Sequence, residues 1–450
     1  MKSEDLIKTN QRLNDQIKEL SLKNEQLTEL NFELEKQLAI SSKNNDDNTF
    51  KVKGITVMYV QVYGYKDVVE GGDSESMYDE LDEIFIKFNE IAKRHNTERV
   101  KVIGDNYVCA GGVAIKNSTN SIDIALVALE INNYLSNLYK AYQEQGKAFW
   151  NLKVGIHSGN GTVTVSGKKN KSYTLTGEVI NTLPRIASIS ETGEIFISDY
   201  TYELIKSYFT CDYVTELPAK YRGNLSLYKL KRIKRMYSDN RKLGVVPNSD
   251  FMLKYLLRQF NDIERKVLDF LQENLSKDLH YHNYCHTIDV VNQTELIGIG
   301  EGVSDEHLLL LKTAALFHDA GHTIQSPNHE HYSTVIAREW LPKYSYSQNQ
   351  IDTICEIIMA TQLPPEPKNL LEKIICDSDL DYLGRADFIP GSNLLFEELK
   401  AQGIISDLNE WNKLQVKFLS AHQFFTDTSK RLREVNKQSQ IDRIESLIVE

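Results

Sequence analysis

LHYHNYCHTIDVV (279–291), TAALFHDAGH (313–322) and CDSDLDYLGRADF (376–388) are the stretches from which the rest of this 450-residue chain is read. In order they offer His282, His286, His318, Asp319, His322 and Asp379. Neutral imidazoles and carboxylates are what a divalent cation accepts as ligands. His318 and Asp319 stand side by side inside LLLLKTAALFHDAGH (308–322), an apolar run of helical character. Two adjacent polar groups there are costly unless something pairs with them. A lone buried His is usually a core residue bonded to a carbonyl, and a single His-Asp step means little. Here three separated segments each set a ligand type against an apolar helical pattern. The reading is a shared metal ion held by His286, His318, Asp319 and Asp379 among helices.

These motifs resemble the HD superfamily of metal-dependent phosphohydrolases. YHNYCH (281–286) also resembles the YHNxxH signature of class I cyclic-nucleotide phosphodiesterases. The resemblance implies an all-helical fold over 250–450, with a metal on His286, His318, Asp319 and Asp379. It implies that His282 is the general acid that protonates the leaving oxygen, and that His322 is a second-shell or second-metal residue. The implied chemistry is metal-assisted hydrolysis of a phosphoester, with Asp319 or its neighbour positioning the nucleophile. The metal could be Mn, Mg, Fe or Zn. TIQSPNHEHYS (323–333) departs from the phosphodiesterase pattern and looks more like a bacterial HD hydrolase, which leaves the substrate open.

Working outward, residues 50–232 alternate strand and helix signals. GITVMYVQVYGY (54–65) reads as a strand and SMYDELDEIFIKFNEIAKRH (76–95) as a helix. ERVKVIGDNYVCAGG (98–112) reads as a hairpin turning at Gly104-Asp105-Asn106. A second helix is expected over 121–145, a strand pair over 150–167 and a third helix from Glu178. The order β-α-β-β-α-β is ferredoxin-like.

VKVIGDNY (100–107), GIHSGNG (155–161) and YTLTGEVINTLPRIASI (173–189) resemble the matching segments of class III nucleotide cyclase catalytic domains. The resemblance implies that Asp105 is a metal carboxylate and that Lys101 contacts the purine and favours adenine; Thr174 stands where many adenylyl enzymes have Asp, and its hydroxyl can still meet the adenine edge. It implies that Asn181 orients the ribose and Arg185 stabilises the transferring phosphoryl group, with Mg or Mn accompanying ATP. The family's first-strand metal Asp is matched here by Gln61, and a neutral amide binds Mg²⁺ or Mn²⁺ much more weakly than a carboxylate. Two readings of this domain stand. It is a working cyclase, or it is a degenerate, regulatory domain that binds nucleotide or only dimerises, since the resemblance implies sites formed between two protomers.

At the N-terminus Leu6, Leu13, Leu20, Leu27 and Leu34 recur every seven residues, with Asn10, Asn24 and Asn31 in the alternate core position. That pattern predicts a parallel two-stranded coiled coil over 1–45, and with it a homodimer. A basic connector over 233–249 reads as a linker to the helical domain.

A net charge of −11 argues against general nucleic-acid binding. Five scattered cysteines without a CxxC read as reduced and cytoplasmic. Neither a signal peptide nor a membrane span is expected. The expectation is an α+β multidomain signalling protein: coiled coil, cyclase-like domain, HD phosphohydrolase. Its ligand would be a nucleotide or cyclic nucleotide. The alternatives are an active adenylate cyclase attenuated by its HD domain, and a non-enzymatic nucleotide sensor.

Overall fold

The computed structural model describes residues 49–63, 74–101, 106–114, 116–146, 149–167, 171–219, 223–240 and 244–449. The leucine heptads lie outside the described residues, as does Asp105. Two compact units make up the rest, one built on a sheet and one helical.

The first unit carries β1 (Thr49–Tyr63), α1 (Ser74–Arg94), β2 (Glu98–Lys101), β3 (Tyr107–Gly111), α2 (Asn120–Glu144) and β4 (Asn151–Ser166). After them come β5 (Ser172–Thr176), α3 (Glu178–Ile189), β6 (Ile195–Ser198), α4 (Asp199–Ile205), β7 (Phe209–Ala219) and β8 (Gly223–Ile233). The sheet order is β1-β3-β2-β5-β4-β6-β8-β7, and β1 also pairs antiparallel with β4. Within it β4-β1-β3-β2 is the ferredoxin-like arrangement expected from the sequence. The inward positions of β1 alternate as Ile55, Val57 and Tyr59, and they pack with Val108, Leu175, Val179 and Leu183.

One element differs from expectation. Residues 151–166 form a single strand, not a pair. The Gly-Asn-Gly run looks like a turn in sequence, but Gly161 serves close packing. A Cβ there would lie 2.8 Å from Leu175 Cδ1 and 3.2 Å from the Thr176 carbonyl.

The second unit is all-helical over its described length. It comprises α5 (Ser249–Asn274), α6 (Tyr284–Gly300), α7 (Asp305–Phe317), α8 (His329–Trp340) and α9 (Gln348–Met359). It continues through α10 (Leu370–Asp379), α11 (Phe388–Ala401), α12 (Leu408–Ala421) and α13 (Val435–Glu445). Helix α7 is buried along Leu309–Leu311 and Thr313–Phe317, which is why its sequence shows little amphipathic period. Leu383, Phe388, Leu419, Phe424 and Ile444 form a second core cluster. Phe418 stays 37% exposed, so the run KFLSAHQFF (417–425) is only partly core. Among the described residues, no helix is long and apolar enough to cross a membrane.

Candidate functional site

Helix ends bring the ligand candidates together. Asn283 caps α6 by accepting from Cys285 N at 2.8 Å and His286 N at 3.4 Å, which places His286 in the first turn. His318 and Asp319 immediately follow α7, and Asp379 closes α10. Gly321 then lets the chain fold back tightly: a Cβ there would lie 1.9 Å from the His329 carbonyl oxygen. Ser333 locks that return, accepting from Gly321 N at 2.8 Å and donating to the His318 carbonyl at 2.6 Å.

Four atoms converge. His286 Nε2 lies 3.1 Å from Asp379 Oδ1 and 3.5 Å from Asp319 Oδ2. His318 Nε2 lies 3.2 Å from Asp319 Oδ2 and 3.5 Å from Asp379 Oδ1. Ligands at about 2.0–2.2 Å from one ion sit roughly 2.9–3.5 Å from their neighbours in octahedral or tetrahedral geometry. The spacing fits a cation's coordination shell.

Hydrogen-bond logic points the same way. His318 Nδ1 faces the Ala315 carbonyl at 2.7 Å, so it carries the proton and Nε2 turns its lone pair inward. His318 Nε2 and Asp319 Oδ2 are buried and neither makes a hydrogen bond. Each such orphan costs about 1–3 kcal/mol. A divalent ion satisfies both at once. Burial opposes a charge on His318, yet Asp319 and Asp379 outweigh it and raise its pKa well above the ordinary value. Burial likewise opposes charge on Asp319 and Asp379, but the histidines hold both carboxyls below the usual range. A field that would retain a proton there equally favours a metal cation.

Beside this shell His282 is held by a residue the sequence reading missed. Its Nδ1 lies 2.5 Å from Glu398 Oε1, and Glu398 Oε2 accepts from Tyr281 N and His282 N at 2.9 and 3.0 Å. The His282 Nε2 edge is thereby left to face the cluster. His322 stacks between His282 and His329, with ring centroids at 4.9 and 4.0 Å. Its Nε2 is buried without a partner, and burial pushes its pKa down to about 3, so it is a neutral ring. His329 Nε2 reaches Asp319 Oδ1 at 3.4 Å and buried Glu330 at 3.6 Å. In the sequence His329 and Glu330 stand out only as part of a departure from the phosphodiesterase pattern. Their signal was a His-Glu step opening the helix after the HD loop.

The sheet unit assembles less. Gln61 pairs in register with Lys153 of β4, and its Oε1 is buried without a hydrogen bond. Thr174 lies opposite Lys101 in the parallel β2–β5 ladder. Asn181 and Arg185 share the exposed face of α3. The Arg185 guanidinium donates to the Pro218 carbonyl. Among the described residues, both groups of clustered metal-ligand candidates lie in the helical unit.

Known proteins match the chain in two blocks. Residues 49–232 match the family described as Adenylate and Guanylate cyclase catalytic domain, and residues 283–381 match the HD domain family. Human guanylyl cyclase C is 29% identical over 185 residues, which is 40% of this chain and 17% of that protein. The receptor-type guanylate cyclase gcy-8 of Caenorhabditis elegans is 28% identical over 39% of this chain and 15% of its own length. The chain thus spans under a fifth of the length of these two curated relatives. A crystal structure of the catalytic core of a rhodopsin-guanylyl cyclase with converted specificity, in complex with ATPalphaS, is similar at 25% identity. It covers 41% of this chain and 99% of that one, with a TM-score of 0.37.

Proposed function

We propose, for a chain in which a class III nucleotide cyclase catalytic domain is followed by an HD domain, that the HD domain hydrolyses a nucleotide phosphodiester. The substrate to expect first is a cyclic nucleotide. The cyclase domain binds nucleotide and regulates that hydrolysis, with weak or no turnover of its own. The observation that carries the reading is the shell of His286, His318, Asp319 and Asp379, with its buried imidazole nitrogen and carboxylate oxygen orphaned.

Those four side chains would hold the ion, which supplies Lewis acidity to the phosphoryl oxygens and to the attacking water. The chain's own groups do the rest. Hydrolysis joins a water oxygen to phosphorus and breaks one P–O ester bond. Asp319 Oδ1, next to His329, is positioned to accept a proton from that water. The departing ester oxygen takes its proton from His282 Nε2, and Glu398 keeps the ring charged and aimed.

A cavity of about 540 Å³ adjoins the shell and includes His282 and Asp379 in its wall. Tyr382, Trp411 and Phe418 line it with flat rings, and Gln415 stands among them with its amide held by Ser392 and Asn412. Flat rings of this kind suit a purine stacked on its faces.

The test is to incubate the full chain with Mn²⁺ and a panel of nucleotides and cyclic nucleotides, then to identify products by mass. The expected product is a nucleoside monophosphate, lost in His318→Ala. Absence of hydrolysis of any phosphoester, together with no bound metal, would favour the ligand-sensor alternative.

A further inference from the structure

Two cavities reach the ligand shell and a third adjoins them, and one nucleotide accounts for the first two. The central one, about 300 Å³, is lined by His282, Asp319, His329 and Asp379, with Gln362 and Leu363 in its wall. The apolar cavity described above shares His282, Asp379 and Leu363 with it. Gln362 and Leu363 also border a third cavity, of about 990 Å³. Leu363 therefore borders all three, and its side chain is 56% exposed.

The third cavity differs in chemistry from the second. Thr334, Cys355 and Glu372 are its buried lining, and its charged residues are Arg338 and Lys368 against Glu356, Glu366 and Glu372. Arg338 also pairs with Asp352 at 2.5 Å. Cavities that bind small ligands run roughly 300–1,000 Å³, so this one is large enough for a ligand of its own. A cation on its wall suits a phosphate or a base edge, and carboxylates accept from ribose hydroxyls.

We infer that the same site also cleaves linear phosphodiesters joining two nucleosides, with one nucleoside in the apolar cavity and the second in this polar one. This rests on the phosphohydrolase reading above. Water adds across the bridging phosphate, the P–O bond to one ribose breaks, and that ribose oxygen takes a proton from His282. The products are one nucleoside and one nucleoside monophosphate, with no redox partner required.

The experiment compares adenylyl-(3′,5′)-adenosine with cyclic AMP as substrates of the full chain loaded with Mn²⁺. It also measures calorimetric binding of the phosphorothioate-linked dinucleoside. Met359 borders the third cavity at 38% exposure, so Met359→Trp fills space there from the surface. The expected result is that both diesters are hydrolysed and that Met359→Trp weakens binding and lowers kcat/KM for the dinucleoside by about tenfold. Its kcat/KM for cyclic AMP should stay unchanged. Glu356→Trp, at another exposed position on the same wall, should reproduce the effect should the first variant fold poorly. Hydrolysis of cyclic AMP without hydrolysis or binding of the dinucleoside overturns the inference and leaves the phosphohydrolase reading standing. Equal losses on both substrates also overturn it. No hydrolysis of either diester ends both.

Discussion

Glu398 Oε1 lies 2.5 Å from His282 Nδ1, and Glu398 is only 2% exposed. Burial works against a charge on His282, but the Glu398 hydrogen bond and nearby Asp319 outweigh it and raise the imidazole pKa. Burial works against Glu398 in the same way, and His282 lowers its carboxyl below the usual range. His282, the proposed acid, therefore stays protonated to higher pH than a free histidine. Turnover should fall as pH rises through the raised His282 value. Glu398→Gln should move that alkaline limb to lower pH and reduce kcat by roughly 10²–10⁴. The stability of the pair follows the same groups. Its His282 part is full below the ordinary histidine pKa and is lost as pH rises through the raised value. Its Glu398 part is full above the ordinary carboxylate pKa and is lost as pH falls through the lowered one. The check is the pH profile of kcat for both proteins; an unmoved limb in Glu398→Gln would remove His282 from the acid role.

Metal removal should be read in stability as well as in rate. Without a cation, His318 Nε2 and Asp319 Oδ2 are left buried without a hydrogen bond. A ligand that binds only the folded form at one hundred times its Kd stabilises by about 2.7 kcal/mol. Adding Mn²⁺ to chelator-stripped protein should raise Tm by several degrees in the wild type and not in His318→Ala or Asp379→Asn. Equal melting with and without Mn²⁺, and no metal by elemental analysis, would refute the site.

How much of this was legible in sequence depended on whether a residue's role is local. His286, His318, Asp319 and Asp379 each sit at a helix end whose start or stop signal is written beside them, so their convergence could be expected. Glu398 lies 116 positions from His282 inside an unremarkable helix, and only tertiary packing makes it that residue's partner. His329 owes its place to Gly321, whose missing side chain permits the tight return. The glycines of β4 misled in the other direction, because glycine serves both turns and close approaches. The ferredoxin-like order was readable because strand alternation and helical period switch cleanly along 54–145.

Gln61 should decide the cyclase domain. A two-cation phosphoryl site needs carboxylates, and an amide with its Oε1 buried without a partner is a poor replacement. The wild type should make cyclic AMP or cyclic GMP at no more than background rate with Mn²⁺, while Gln61→Asp should raise the rate about tenfold or more. Product formation by the wild type that the substitution hardly improves would establish an active cyclase instead.

Acid should unfold the helical unit through His422. Its side chain is 9% exposed beside Phe424, both ring nitrogens lack hydrogen bonds, and Lys437 donates to its carbonyl. Burial and then the Lys437 charge push its pKa down to about 4. The unfolded chain takes up a proton near the ordinary histidine value, whereas the folded chain waits until the lowered one. Stability is therefore constant above the ordinary value and falls as pH drops toward 4, by roughly 3 kcal/mol in all. His422→Phe keeps the ring and removes both orphaned nitrogens. Denaturant melts of both proteins between neutral pH and pH 4 should show a shallower loss in the variant. Identical slopes would show that His422 takes no part in the acid transition.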